Sequence, residues 1–132
     1  MVRAYKEDCA AIEPRHIVPR PKGIAESILR GDPSRVYPYV KAIVVESGGD
    51  FVAVSEDQIR EARKMLEELE GVSPCFSAST AVAGLIKLAR TNSFPKEETV
   101  LVNLTGGDRP ATKPAGTIRW LRRDEEGWIE EI

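Results

Sequence analysis

The chain has little of what metal and disulfide chemistry need: two cysteines and one histidine in 132 residues. Cys9 and Cys75 lie far apart with no CxxC, so neither a disulfide framework nor a zinc site is signalled, and two free thiols are expected. His16 has no aspartate or cysteine spaced to serve it as a catalytic partner, which makes it an ordinary loop histidine. Aromatic residues are only 6% of the chain, and 19 basic residues are mixed with 21 acidic ones for a net charge of −2. No basic face for nucleic acid and no acidic tail stands out. The apolar runs (42–45, 81–83, 85–86) are far below the roughly 18 to 20 residues of a membrane span, and the polar start Met1–Ala10 is unlike a signal peptide. A cytoplasmic protein without membrane or nucleic-acid partners is therefore expected.

What is present fits one domain. Residues 1–22, with Pro14, Pro19 and Pro21, predict an extended arm, and 23–132 a single α/β domain. Gly23–Arg30 can form a short helix that Gly31-Asp32-Pro33 stops. Residues 35–54 suit either a helix from about 35 to 46 or a hairpin around Ser47-Gly48-Gly49-Asp50. The strongest local signal is a helix over 55–70. Ser55 and Gln58 have capping-box spacing, Val54 and Ile59 the staple positions, and Gly71 a stop. Its apolar stripe is Ile59, Ala62, Met65, Leu66 and Leu69, and Glu56/Arg60 and Arg63/Glu67 are opposite charges one turn apart.

Small apolar residues predict a buried helix over about 78–90, and the aliphatic run 99–104 a strand buried on both faces of a parallel sheet. Alternation over 117–132 predicts a terminal hairpin that brings Trp120 near Trp128. The expected fold class is α/β: a partial Rossmann-like layer with a mostly parallel sheet. In such sheets ligands bind beyond the carboxyl ends of strands, which marks Thr105-Gly106-Gly107 as the candidate site. The hydroxyl-rich start Ser77-Ala78-Ser79-Thr80 of the helix over about 78–90 is either an anion contact or simple N-capping. No GxGxxG joins a strand to a helix, which excludes a Rossmann dinucleotide site.

Several segments, in order, carry a resemblance: residues 24–33, Glu46-Ser47-Gly48-Gly49, Val52-Ala53-Val54-Ser55, Leu69-Glu70-Gly71-Val72, 79–85 and 100–107. Together, over about residues 4–110, they resemble the late part of the threonine synthase family within the fold type II pyridoxal-phosphate enzymes. Cysteate synthase is a close sibling. The resemblance implies that Thr105 meets the pyridine nitrogen of pyridoxal phosphate, that Gly106 and Gly107 give the ring edge room, and that the loop with Gly31 and Asp32 faces cofactor and substrate. It also favours the helix over 35–46.

Two departures stand out. Cys75-Phe76 replaces a frequent Glu-Pro, and Gly106-Gly107-Asp108 replaces a frequent Gly-His-Gly after the threonine. None of the seven lysines has the context of the family's cofactor-bonded lysine, and no Ser/Gly/Asn-rich phosphate loop is present.

The resemblance thus implies a C-terminal portion of a larger enzyme, with Met1 a start placed inside a longer chain. The parent would convert O-phosphohomoserine to threonine and phosphate by elimination and replacement, and this chain alone would be inactive and bind no cofactor. Its expected partners are the missing N-terminal half and, through homodimer or edge pairing, a second copy. The competing expectation is a stand-alone, non-catalytic α/β module that binds a ligand or protein through the Thr105 edge.

Overall fold

The computed structural model describes residues 1–91, 94–95, 97–108, 120–123 and 127–131, the residues of its two strands by backbone alone. Four helices lead: α1 (Val2–Lys6), α2 (Tyr37–Glu46), α3 (Glu56–Glu70) and α4 (Phe76–Arg90). One antiparallel pair closes the chain, β1 (Trp120–Arg123) with β2 (Trp128–Glu131).

α3 forms for the reasons its sequence states. The Gln58 amide donates to Ser55 Oγ (3.2 Å) and the Ser55 amide to Gln58 Oε1 (2.8 Å), which satisfies two N-terminal donors reciprocally. Gly71 ends the helix in the left-handed region, φ 64° and ψ 20°, where a Cβ would be strained. α3 packs on α4 through Ile59, Ala62 and Ala83, all buried, together with Ala25 from the preceding loop. Ala62 and Ala83 are small enough for the two helix backbones to approach closely, and Val54, Phe76, Val82 and Ile86 rim the contact. Past Leu66 the predicted stripe runs out of partners, and Leu69 is 71% exposed.

Within the stretch expected as an extended arm, Val2–Lys6 is helical and residues 4–9 pack on the chain beyond it. Ala4 on α1 is buried, Tyr5 and Phe51 lie 4.8 Å apart between ring centroids, and fully buried Tyr37 donates to the Cys9 carbonyl at 3.0 Å. Lys41 on α2 pairs with Asp8 at 2.8 Å. The short helix expected at 23–30 is only a 3-10 turn, Glu26–Ile28. At 35–46 the helix prevails over the hairpin.

The α/β architecture with a parallel sheet is overturned. Among the described residues the β1–β2 pair makes the only sheet, and it is antiparallel. The run 99–104 is not a strand: no backbone hydrogen bond reaches it among the described residues, and Leu101 is 92% exposed. The physical reason is that β-propensity reports how well a side chain fits a half-buried pleated surface, and no described strand pairs with this run to provide one. Nor are the two tryptophans neighbours. The register sets Trp120 opposite Glu131 and Trp128 opposite Arg123, at opposite ends of the ladder. Residues 117–119, 124–126 and 132 of the expected hairpin lie outside the described residues.

Gly31 sits against Val18 of the lead-in: its carbonyl accepts from the Val18 amide at 2.9 Å, and a Cβ there would come within 2.4 Å of the Val18 carbonyl oxygen. Gly31→Ala is therefore expected to destabilise the chain by about 1–3 kcal/mol through overpacking. Ser55→Ala should lower stability by about 1 kcal/mol through the lost cap. Urea unfolding followed by circular dichroism measures both, and a Gly31→Ala midpoint equal to the parent's would contradict the close approach.

Candidate functional site at the Thr105 turn

The segment after the apolar run is held where α4 begins. Cys75 precedes α4, and its amide donates to the Gly106 carbonyl at 3.1 Å, while the Asp108 amide donates to the Ser73 carbonyl at 2.9 Å. These bonds flank an isolated antiparallel bridge between buried Pro74 and Gly107. Thr105 stands at the outer end of this turn, exposed, and its hydroxyl has no hydrogen-bond partner among the described residues.

A second anchor comes from α3. Arg63 Nη2 meets Asp108 Oδ2 at 2.5 Å and its Nε meets Glu67 Oε1 at 3.0 Å. Ser73 Oγ donates to the same Glu67 oxygen at 2.8 Å. The guanidinium lies over the Phe76 ring, 4.7 Å from its centroid, with Arg60 at 5.5 Å. The carboxylates Glu67 and Asp108 hold Arg63 above its ordinary range. The Ser73 hydroxyl, and after it Arg63, hold the Glu67 carboxyl below its ordinary value. The i,i+4 pair Arg63/Glu67 is legible in the sequence. Asp108 and Ser73 are not, because only the folded chain brings them to α3.

The hydroxyl-rich start of α4 splits. Ser79 Oγ donates to the Cys75 carbonyl (3.0 Å) and Thr80 Oγ1 to the Phe76 carbonyl (3.1 Å), so both are turned back into their own helix. Ser77 is half-buried and lines a groove of about 520 Å³ between α4 and residues 100–103. Gly84 and Leu85 form its floor on the α4 side.

The structure does not bring the Gly31–Asp32 loop to the Thr105 turn. Asp32 Oδ1 accepts from the Ser34 amide at 2.9 Å and from the Ser34 hydroxyl, closing a local turn, and those bonds hold its carboxyl low. The cavity that Asp32 lines, with Met1, Val2 and Pro33, does not include Thr105.

His16, expected in a loop, is buried at the end of a 3-10 turn, Pro14–His16. Its Nδ1 accepts from the Glu13 amide at 3.2 Å and its Nε2 lies 3.0 Å from Glu7 Oε2. Glu7, Cys9 and His16 gather their ligand atoms within 4.8 Å. The chemistry of the donor set opposes a metal. With Nδ1 accepting an amide hydrogen, the neutral ring carries its own hydrogen on Nε2, so neither nitrogen offers a free lone pair. Arg15, 2.9 Å from Glu7 and 3.2 Å from Glu13, already supplies the cation.

Residues 2–106 match the family described as pyridoxal-phosphate dependent enzymes. The chain belongs to that family. It is 33% identical over 100 residues to a threonine synthase of Bacillus sp. (strain ULM1), covering 76% of this chain and 28% of that protein. To a threonine synthase of Methanosarcina acetivorans it is 34% identical over 106 residues, 80% of this chain and 25% of that protein. A cysteate synthase of Methanospirillum hungatei is 29% identical over 112 residues, 81% and 26%. The chain thus spans about a quarter of the length of these relatives. No described helix is long and apolar enough to cross a membrane.

Pyridoxal phosphate is the cofactor of this family, and the described residues fit one edge of it. The free Thr105 hydroxyl suits a ring nitrogen, and beside it Gly106 leaves open a position where a Cβ would press to 3.0 Å from Cys75 Sγ. They do not offer it an amine. Lys41 is held charged above its ordinary range by Asp8, Lys87 donates to the Ala53 carbonyl at 2.7 Å, and Lys64 pairs with Glu68 on the outside of α3. Lys6 and Lys22 are exposed, and Lys96 and Lys113 lie outside the described residues.

The lowered Glu67 carboxyl carries a pH dependence. Its folded value lies below the ordinary 4.5, so its contribution is fully present above that pH and is lost as pH falls through the folded value. Glu7 and Asp8 are lowered too, by His16 and Lys41, and add to the same acid loss. Urea midpoints are expected to fall between pH 6 and pH 3, and Glu67→Gln should shrink that fall; an equal fall in parent and variant would contradict the role given to Glu67.

Proposed function

We propose that this chain supplies the ring-nitrogen wall of a threonine synthase-like enzyme that converts O-phosphohomoserine to threonine and phosphate. The observation that carries the reading is the free Thr105 hydroxyl, exposed on a turn tied down on both sides by Ser73, Cys75 and Arg63. Pyridoxal phosphate, when bound, supplies an electron sink for elimination and replacement on an amino-acid substrate. Thr105 offers the pyridine nitrogen a neutral hydroxyl. Unlike a carboxylate, a hydroxyl does not hold that nitrogen protonated, so the sink stays tempered. Gly106 and Gly107 keep side chains away from the ring edge. The ordering of the turn before ligand arrives supports the reading, since a preorganised partner loses less on binding.

The lysine that bonds the cofactor and the cradle for its phosphate belong, on this reading, to residues outside this chain. The exposed apolar run Val100, Leu101 and Leu104 is then the face that meets that remainder. A second reading, a cysteate synthase-like enzyme, is favoured by Cys75-Phe76 and by Gly106-Gly107-Asp108, where this chain leaves the threonine synthase pattern.

Two measurements test this. The 132-residue chain, mixed with pyridoxal phosphate and reduced with borohydride, should show no stoichiometric label on any of its seven lysines. One fully labelled lysine would make the chain a cofactor enzyme by itself. In the cofactor-loaded full-length enzyme, Thr105→Val should weaken cofactor binding about fivefold, the worth of one hydrogen bond, and shift its absorbance. Threonine and phosphate formed from O-phosphohomoserine support the first reading, and cysteate as the product supports the second.

A further inference from the structure

Resting on the reading of Thr105 just given, we propose that Arg63 is the positioning residue of the site: acting through Asp108, it fixes where the Thr105 hydroxyl stands. Three observations meet in this side chain. Arg63 is rooted on the buried face of α3, one position after fully buried Ala62, and its side chain is 19% exposed. It spans from Glu67 on its own helix to Asp108, three residues past Thr105. It also lies over the ring of Phe76, the first residue of α4, 4.7 Å from the ring centroid.

The turn needs such a brace. Only two backbone hydrogen bonds, Cys75 amide to Gly106 carbonyl and Asp108 amide to Ser73 carbonyl, tie it to the rest of the described chain. Gly106 and Gly107 between them give the backbone wide freedom, so two bonds alone leave the turn free to open. Arg63 closes the loop from the other side. Its guanidinium fork reaches Asp108 and Ser73 with one nitrogen and Glu67 with another, joining both strands of the turn's footing to one rigid helix. A lysine could replace the charge but not the fork or the stacking on Phe76.

The test compares Arg63→Met, Arg63→Lys and Asp108→Asn. Asp108→Asn leaves Arg63, Glu67 and the Phe76 stack in place, so it reports on the brace even if Arg63→Met unfolds. By amide hydrogen exchange on the 132-residue chain, Arg63→Met and Asp108→Asn should each speed exchange at Cys75 and Asp108 about tenfold. The Ser79 amide, bonded to the Cys75 carbonyl within α4, should be unchanged, and Arg63→Lys should restore protection in part. In the cofactor-loaded full-length enzyme, Asp108→Asn should shift the cofactor absorbance in the same direction as Thr105→Val. Unchanged exchange overturns the proposal. So does faster exchange with an unmoved absorbance when Thr105→Val does move it, since the brace then does not position Thr105. If Thr105→Val itself moves nothing, the reading of the site has failed and the inference falls with it.

Discussion

The contact between α3 and α4 is the constraint on which the rest depends. Two alanines, Ala62 and Ala83, are buried where the helices cross, and their size lets the backbones come close enough for Phe76 to lie beneath Arg63. That spacing sets the start of α4, which in turn presents the Cys75 amide and the Ser73 carbonyl to the returning chain. A larger side chain at either alanine would push the helices apart and loosen every bond at the Thr105 turn. Helix packing here is thus the means by which a polar turn far along the chain is held in place.

The N-terminal third is organised by a different device. Partnered polar groups take the place of a large apolar core: the buried Tyr37 hydroxyl on the Cys9 carbonyl, buried His16 between Glu7 and the Glu13 amide, and half-buried Lys41 on exposed Asp8. No buried side-chain nitrogen or oxygen is left without a partner among the described residues. Such satisfied networks specify a geometry, since removing one member strands the others. They also explain why the proline-rich lead-in folds onto α2, a result that its composition alone does not suggest.

Local chemistry was legible and tertiary placement was not. The Ser55/Gln58 box, the Gly71 stop and the extent of α3 follow from spacing along one helix, and the structure realises each. The i,i+4 rule made the Arg63/Glu67 pair readable, but it also suggested Glu56/Arg60, where Glu56 instead accepts from the Ile24 amide and Arg60 turns to Phe76. The aliphatic run 99–104 is not a strand, because burial of a strand is a property of its neighbours. Asp108 carried no signal of its own; a single exposed carboxylate becomes part of the site only when folding sets it against Arg63. The partners of His16 are likewise set by folding, Glu13 at the start of a 3-10 turn and Glu7 at the end of α1.

The family assignment rests on residues 2–106, and the site on a hydroxyl that no described group engages. The most direct test is a crystal structure of the proposed larger enzyme with pyridoxal phosphate bound. Thr105 Oγ1 is expected within about 2.6–3.2 Å of the pyridine nitrogen, with the Arg63–Asp108 pair intact. A carboxylate at that nitrogen, or Thr105 turned away from the ring, would contradict it.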